Sequence, residues 1–243
     1  MTTSWFEAGH VAIVTGGSRG LGKALARELL MRGLHVIVDG RDAAVLEAAA
    51  AELGAPESLI VVPGDVSDPK HAHFLVGAAR DLGRLDLLIN NASTLGEVPL
   101  PRIEDLTHTT FTRLFDVNVF APIHLIQHAL TLMPQNSGPS TIVNVTSDAA
   151  IEGYPAWGGY GSSKAALEAV SRSFAAELEG TAVRVLVADP GDMDTRMHRD
   201  AIPDADPADL RDPADSARAL LHAVSSMRSG FERVRLAELA AAV

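Results

Sequence analysis

The sequence predicts an α/β fold in which a doubly wound parallel sheet of six to seven strands carries helices on both faces. Short apolar runs alternate with helix-like stretches nearly to the end of the chain, which is the pattern of repeated strand–helix–strand units. The runs are rich in Val, Ile and Leu and are continuously apolar, as expected of strands buried on both faces. They are Val11–Val14, His35–Val38, Leu59–Val62, Leu85–Ile89, Thr141–Val145 and Val183–Ala188.

Leucines at helical spacing predict a helix after the first strand. Leu21, Leu25 and Leu29 recur every four residues, and Gly33 stands where a glycine commonly ends a helix. Ligands of such sheets bind beyond the carboxyl ends of the strands. We predict a single domain over residues 1–243, in which the Asp- and Pro-rich stretch 191–214 forms a loop or short helices that act as a lid on the substrate side.

The composition excludes several classes of function. Lys plus Arg total 20 and Asp plus Glu total 31, and the formal net charge of −11 disfavours nucleic acid and anionic membranes as partners. The absence of cysteine excludes thiol catalysis and disulfides. Neither a signal peptide nor an apolar stretch of transmembrane length is recognisable, so we expect a cytoplasmic protein.

Histidines do not indicate a metal site. His124 and His128 are spaced four residues apart, which suits a metal, but no acidic residue accompanies them as in the His-Glu-x-x-His pattern. We therefore predict no bound metal. His71 and His73 are expected on the exposed surface of a helix.

A glycine-rich turn links the first strand to the first helix. Glycines permit a tight turn and a close approach of the backbone to a pyrophosphate, and the helix N-terminus that follows favours an anion. An ordinary strand–helix turn is the alternative, and the flanking strand and helix make it less favoured. The turn consists of Thr15, Gly16, Gly17, Ser18, Arg19, Gly20, Leu21 and Gly22.

The end of the second strand bears on the choice between NAD and NADP. An acidic side chain there holds the ribose 2′-hydroxyl of NAD, whereas an arginine accommodates the 2′-phosphate of NADP. If Asp39 faces the ribose, the cofactor is NAD; if Gly40 stands there, Arg41 meets the phosphate and Arg19 can reach it as well. The two arginines favour NADP. After the third strand, Asp65, followed by Val66, can accept a hydrogen bond from the adenine amino group, while Ser67 or Asp68 can cap the next helix.

Tyr160 and Lys164 are four residues apart and share a face if this segment is helical. A nearby ammonium is expected to lower the pKa of a phenol, which makes the phenol a usable proton donor and acceptor. Ser147 follows the fifth apolar run, where its hydroxyl can hydrogen-bond a substrate oxygen. Asn118, expected early in a long helix, can order a water near Lys164, although a packing role is equally consistent with its local sequence.

In these motifs the chain resembles the short-chain dehydrogenase/reductase (SDR) family, in its single-domain Rossmann-fold branch, over residues 6–200. The resemblance implies that Asn118, Ser147, Tyr160 and Lys164 form the catalytic tetrad. It implies that the cofactor is held by Thr15, Gly16, Ser18, Arg19, Gly20, Leu21, Gly22, Gly40, Arg41, Asp65, Val66, Asn91, Ala92, Ser93, Tyr160, Lys164, Pro190, Gly191, Met193 and Thr195. The family's usual register places Gly40 at the NAD-type acidic position and Arg41 at the NADP position.

Two features depart from the family pattern. Ser93 replaces the usual glycine after Asn-Asn-Ala, so a side chain stands beside the nicotinamide position. The family often ends in a strand followed by an Asp-Gly-Gly turn; the resemblance makes residues 231–236 the candidate seventh strand, but Ala-rich residues replace the turn. This weakens the case for a tetramer, and we expect a homodimer or homotetramer.

The combined pattern predicts an NADP(H)-dependent oxidoreductase that interconverts a small-molecule ketone and a secondary alcohol. The alternatives are an NAD-dependent alcohol, polyol or steroid dehydrogenase, a sugar-nucleotide epimerase or dehydratase, and a non-catalytic NADP-sensing protein. Epimerase relatives carry a larger C-terminal substrate domain, and sensing relatives lose the Tyr or the Lys, so both are less favoured.

Overall fold

A computed structural model describes residues 6–136 and 138–239. Seven parallel strands form one sheet in the order β3-β2-β1-β4-β5-β6-β7. The strands are β1 Val11–Val14, β2 His35–Gly40, β3 Leu59–Pro63, β4 Leu87–Asn90, β5 Ser140–Val145, β6 Val183–Asp189 and β7 Phe231–Arg235. The predicted fold class is confirmed, and the candidate seventh strand exists.

Most predicted strand ends shift by one or two residues. The strand predicted to end at Val38 continues to Gly40. The fourth strand begins at Leu87, so Leu85 and Asp86 precede it. The last strand ends at Arg235, and Leu236 begins a short helix. Strands β2, β3, β4 and β6 are longer than predicted at their carboxyl ends, whereas β5 gains Ser140 at its amino end.

The helices cover both faces of the sheet. They are α1 Gly20–Met31, α2 Ala43–Glu52, α3 Pro69–Asp81, α4 His108–Phe115, α5 Ala121–Ala129, α6 Gly158–Glu177, α7 Arg196–Ala201, α8 Pro213–Ser226 and α9 Leu236–Leu239. Alternate residues of β1 enter two different cores: Ala12 and Val14 pack with α1 and α8, whereas Val11 and Ile13 pack with α3 and α5. This alternation is the physical reason for the continuously apolar strands.

The strand order reverses direction between β1 and β4. From β1 the chain winds outward through β2 to β3, and it then returns past β1 to build β4 through β7. A reversal of this kind leaves a crevice at the carboxyl ends of the strands, where ligands of open α/β sheets bind.

Two connections shape the region above that crevice. The expected single helix around Asn118 is two α-helices, α4 and α5, joined by a π-helical turn over Asp116–Phe120. The stretch 191–214 contains α7 and a 3₁₀ turn at Pro207–Asp209, and Met193 pairs with Arg211 in a short bridge. No helix within residues 6–136 and 138–239 has the length and apolar composition required to cross a membrane.

Candidate active site

A cleft of about 630 Å³ opens at the carboxyl ends of the strands. Ligand sites commonly have volumes of this order. The cleft is lined by most of the residues selected from the sequence: Gly16, Ser18, Arg19, Gly20, Leu21, Gly40, Arg41, Asp65, Val66, Asn91, Ala92, Ser93, Ser147, Tyr160, Lys164, Pro190, Gly191, Met193 and Thr195. Thr15, Gly22 and Asn118 are buried and do not line the cleft.

The N-terminus of α1 is built to receive an anion. Arg19, the residue before the helix, makes no side-chain capping hydrogen bond to the first turn. The N–H groups of that turn are therefore available to a ligand in the cleft. A Cβ on Gly22 would collide with the carbonyl oxygen of Gly16, so only glycine lets the helix pack this closely against the turn.

Thr15 and Asn91 join the glycine turn to the end of β4. The Thr15 hydroxyl accepts hydrogen bonds from the backbone N–H groups of Asn91 and Ala92, both at 3.0 Å. The Asn91 amide donates to the carbonyl oxygen of Thr15 at 2.8 Å. These polar groups thus hold the two loops together.

Asp39, at the end of β2, is buried, and both of its carboxylate oxygens have a hydrogen-bond partner. Its Oδ1 accepts a hydrogen bond from the Gly16 backbone at 2.6 Å, and its Oδ2 lies 3.0 Å from Nε2 of His71 on α3. Burial raises the pKa of Asp39, although the bonds from His71 and Gly16 oppose it. The prediction that His71 lies on an exposed surface is wrong: its ring packs over Gly64 and is 4% exposed.

Asp65 is partly occupied by its own turn. Its Oδ1 accepts from the backbone N–H and the hydroxyl of Ser67, at 2.9 and 2.8 Å. Burial opposes ionisation here, but these bonds and the charge of Arg41 leave the pKa of Asp65 below its usual value. Asp68, and not Ser67, caps α3, by accepting from the backbone of Lys70 at 2.9 Å.

Ser147 follows β5 and lies beside α6. Its Oγ donates to Oδ1 of Asp148 at 2.8 Å and accepts from the backbone N–H of Ala149 at 3.2 Å, which caps a short 3₁₀ turn. A Cβ on Gly161 would collide with the carbonyl oxygen of Ala149. The glycine therefore permits the close contact that brings Tyr160 of α6 next to Ser147.

The phenol of Tyr160 and the ammonium of Lys164 lie one turn apart on α6, 8% and 2% exposed. Lys164 Nζ is 5.6 Å from the centre of the Tyr160 ring and donates to the carbonyl oxygen of Val145 at 2.9 Å. Burial lowers the pKa of Lys164 from 10.5 to about 8.

Burial also raises the pKa of Tyr160 above its ordinary value of 10. The hydroxyls of Ser93 and Ser147 oppose this change, whereas the charges of Asp189 and Asp148 reinforce it. In the protein alone the pKa of Tyr160 is therefore raised, and not lowered as the spacing to Lys164 predicts, because burial penalises the charged phenolate.

Asn118 is fully engaged within the π-helical turn. Its Oδ1 accepts from the Ser93 hydroxyl at 3.0 Å and from the Thr94 backbone at 2.9 Å. Its Nδ2 donates to the carbonyl oxygen of Thr94 and to the Ser163 hydroxyl, both at 3.0 Å. The π turn aims this side chain at α6, and Ser93, the departure from the usual glycine, takes part directly in the network.

The segment after β6 closes the opposite wall. The Gly191 backbone N–H donates to Oδ1 of Asp189 at 3.0 Å, and Gly191 has a φ of 72° that favours glycine. Thr195 caps α7 and faces the glycine turn: a Cβ on Gly20 would lie 3.2 Å from its methyl group.

Comparison with known proteins decides the family. The family model described as short chain dehydrogenase matches residues 10–206. The chain belongs to the short-chain dehydrogenases. This short-chain dehydrogenase is 41% identical over 191 residues to the short-chain dehydrogenase/reductase FrzI of Cladobotryum sp, a match covering 76% of this chain and 70% of that protein.

Further matches to the dehydrogenase come from Pseudomonas species. It is 36% identical over 198 residues to a rhamnolipids biosynthesis 3-oxoacyl-(acyl-carrier-protein) reductase, covering 79% of this chain and 76% of that protein. The solved RhlG/NADP active-site complex has a TM-score of 0.83 and 31% identity, with 97% of each chain covered. A short chain dehydrogenase from Pseudomonas syringae has a TM-score of 0.87 and 28% identity, covering 97% of this chain and 98% of the other.

Three residues of the dehydrogenase's site escaped the sequence analysis. His71 is predicted on a helix surface, and the sequence motifs do not single out Asp148 or Gly161. Asp148 directly follows Ser147, which could have drawn attention to it, whereas His71 lies 32 residues from Asp39. Trp157 also lines the cleft, and its ring makes an edge-on contact with the Tyr160 ring, with 5.7 Å between the two ring centres.

Proposed function

We propose that this short-chain dehydrogenase uses NADP(H) to interconvert a ketone and a secondary alcohol, with Tyr160 as general acid and base. One observation carries the proposal: the same cleft holds an uncapped helix N-terminus with Arg19 and Arg41 at one end, and Ser147, Tyr160 and Lys164 at the other. A dinucleotide can extend between these two groups of residues, with its phosphates at the glycine-rich turn and the N-terminus of α1.

The preference for NADP(H) is supported by the engagement of Asp39. Both of its carboxylate oxygens already accept hydrogen bonds, from Gly16 and His71, which leaves Asp39 poorly suited to hold the ribose hydroxyls of NAD. Gly40 and Arg41 line the cleft next to it, and Arg19 is exposed on the same side. In an otherwise acidic protein, two exposed arginines beside the ribose position favour the 2′-phosphate. The relative solved as an NADP complex agrees with this choice.

The proton chemistry follows from burial. When bound, NADPH supplies the hydride. Because burial favours the neutral phenol, Tyr160 stands ready to donate a proton to the oxygen of a ketone. With a pKa of about 8, Lys164 is mostly charged at neutral pH, and its ammonium stabilises the phenolate that remains. Asn118 holds Ser93 and Ser163 around this pair and, by family analogy, orders a water through which the proton is replaced.

The substrate is proposed to be a neutral ketone, such as a 3-oxoacyl thioester. Ser147 and Tyr160 provide the polar contacts, and Leu95, Trp157 and Met197 provide apolar walls in the same cleft. The Pseudomonas aeruginosa relative named as a 3-oxoacyl reductase supports this class. Asp148 beside Ser147 disfavours substrates with a carboxylate next to the carbonyl.

A panel of ketones assayed with NADPH and with NADH tests this function. We expect consumption of NADPH to exceed that of NADH. Arg41→Ala should weaken NADPH by ~1.5–3 kcal/mol, the loss of a charged hydrogen bond, and leave NADH unchanged. Arg228→Ala, at an exposed loop outside the cleft, is the matched control and should affect neither. Equal weakening of both cofactors by Arg41→Ala would contradict the choice of NADP.

A further inference from the structure

The hydroxyl proton of Ser147 is committed to a carboxylate. Ser147 Oγ lies 2.8 Å from Oδ1 of Asp148 and accepts from the Ala149 backbone at 3.2 Å. A serine hydroxyl has a single proton, and an ionised carboxylate can only accept. While this proton points at Asp148, Ser147 can offer only a lone pair to the neutral Tyr160 phenol or to a substrate. Ser147 favours the phenolate of Tyr160 only when the proton turns from Asp148 to the phenolate oxygen.

Asp148 is itself held firmly as an anion. Its Oδ1 also accepts from the Ala149 backbone at 2.8 Å, and its Oδ2 accepts from the Tyr154 hydroxyl at 2.9 Å. Although burial opposes it, the bonds from Ser147, Tyr154 and Ala149 and the charge of Arg235 lower the pKa of Asp148 below its usual value. Asp148 thus keeps its charge at neutral pH.

Glu152 contacts Tyr154 and connects it to Arg235 of the last strand, β7. The Tyr154 hydroxyl also lies 2.9 Å from Oε2 of Glu152, and Arg235 of β7 donates to Oε1 of Glu152 at 2.7 Å. Arg235 pairs with Glu152 and its charge also favours the anion of Asp148, whereas Ser147 and Tyr154 contact Asp148 as neutral groups. The charged Asp148 carboxylate therefore lies directly beside Ser147.

We propose that Asp148 is a positioning residue that holds Ser147 as a hydrogen-bond acceptor and whose charge adds to the stability of the protonated Tyr160 phenol in the free enzyme. The proposal rests on the proposed function, because it concerns the same acid–base pair. A charged acceptor holds a hydroxyl proton more strongly than a neutral ketone oxygen does. A nearby anion also disfavours a second anion, so the phenolate of Tyr160 costs more while Asp148 is charged.

Two other charged groups also act on the Tyr160 phenol, and the charge of Asp189 raises its pKa more than the charge of Asp148 does. Asp189 of β6 also faces the phenol, but its Oδ1 accepts from Gly191 and its Oδ2 lies 3.9 Å from Nε of Arg235. Lys164, on the same helix as Tyr160, acts in the opposite direction. The consequence is an order of events: Tyr160 is the first donor to an arriving ketone, and Ser147 becomes a second donor only after its proton turns away from Asp148.

The test replaces Asp148 by Asn and follows the ionisation of Tyr160. Tyr154 and Tyr160 are the two tyrosines of the sequence, so Tyr154→Phe leaves a single phenol whose ultraviolet absorbance reports its own ionisation. In the NADP⁺ complex, Asp148→Asn in this background should move the tyrosinate midpoint down by roughly one pH unit. The pH midpoint of kcat for alcohol oxidation should move in the same direction in the otherwise unchanged protein.

Glu177→Gln is the matched control, because it removes the same charge from an exposed site at the far end of α6, ~25 Å from Tyr160 at the rise of an α-helix. It should move neither midpoint. An unmoved tyrosinate midpoint in the Asp148→Asn protein would overturn the proposal. Because that reading needs no turnover, it is independent of whether Tyr160 is the catalytic acid.

Discussion

Lys164→Met should stabilise the fold while it abolishes catalysis. Lys164 is 2% exposed, and burial lowers its pKa from 10.5 to about 8. Keeping the ammonium inside the folded protein at pH 7 therefore costs ~3 kcal/mol. The substitution also removes the hydrogen bond to the Val145 carbonyl, which offsets ~1 kcal/mol of the gain. The net expectation is ~2 kcal/mol of added stability at pH 7.

The difference in stability between Lys164→Met and wild type should depend on pH. Between pH 8 and 10.5 the unfolded chain binds more protons at Lys164 than the folded protein does, so wild-type stability rises with pH in that window. The advantage of Lys164→Met should therefore shrink above pH 8 and approach zero near pH 10.

Urea unfolding of the cofactor-free proteins at pH 7 and pH 10 measures both effects. Lys70→Met, at an exposed position on α3, is the control for exchanging a lysine for methionine and should show no such pH dependence. A Lys164→Met protein that is less stable than wild type at pH 7, or a difference that stays constant with pH, would refute the reasoning.

Two further predictions concern the cofactor end of the cleft. His71→Leu leaves the Asp39 carboxylate buried without its partner and should lower the free energy of unfolding by ~3 kcal/mol, measured in urea; His73→Leu, at an exposed position, should cost far less, and equal costs would contradict the role of the pair. Gly22→Ala forces a methyl group against the Gly16 carbonyl and should reduce NADPH affinity at least ~10-fold, or ~1.4 kcal/mol, in a fluorescence titration. Gly77→Ala is the control: its Cβ meets no atom within 4 Å, so it should leave NADPH affinity unchanged and slightly stabilise α3. Unaltered NADPH affinity in Gly22→Ala would contradict the role of the glycine turn in binding the cofactor.

Much of the fold was predictable because burial on both faces leaves a direct trace in composition. The continuous apolar runs predicted six of the seven strands, and the family resemblance gave the candidate for the seventh. The glycine turn, Ser147, Tyr160 and Lys164 all line the cleft at the carboxyl ends of the strands. The π turn at Asn118 escaped prediction because one extra residue per turn hardly changes the local apolar spacing.

Contacts between residues that are distant in sequence could not be predicted from the sequence. Asp39 and His71 look like two surface polar residues until the packing of α3 against the sheet buries them together. The pKa of Tyr160 was misjudged for a related reason: the spacing to Lys164 shows the attraction, but only the structure shows how completely the phenol is buried. The single domain, the lid role of residues 191–214, the homodimer or homotetramer and the cytoplasmic location stay predictions.

The most direct test of the central claim is the turnover of Tyr160→Phe with NADPH and a ketone that wild type reduces. Phenylalanine keeps the buried ring and removes only the proton donor. The account predicts a loss of at least ~100-fold in kcat, the usual scale of general acid catalysis, with NADPH affinity unchanged. Wild-type turnover in the Tyr160→Phe protein would contradict it.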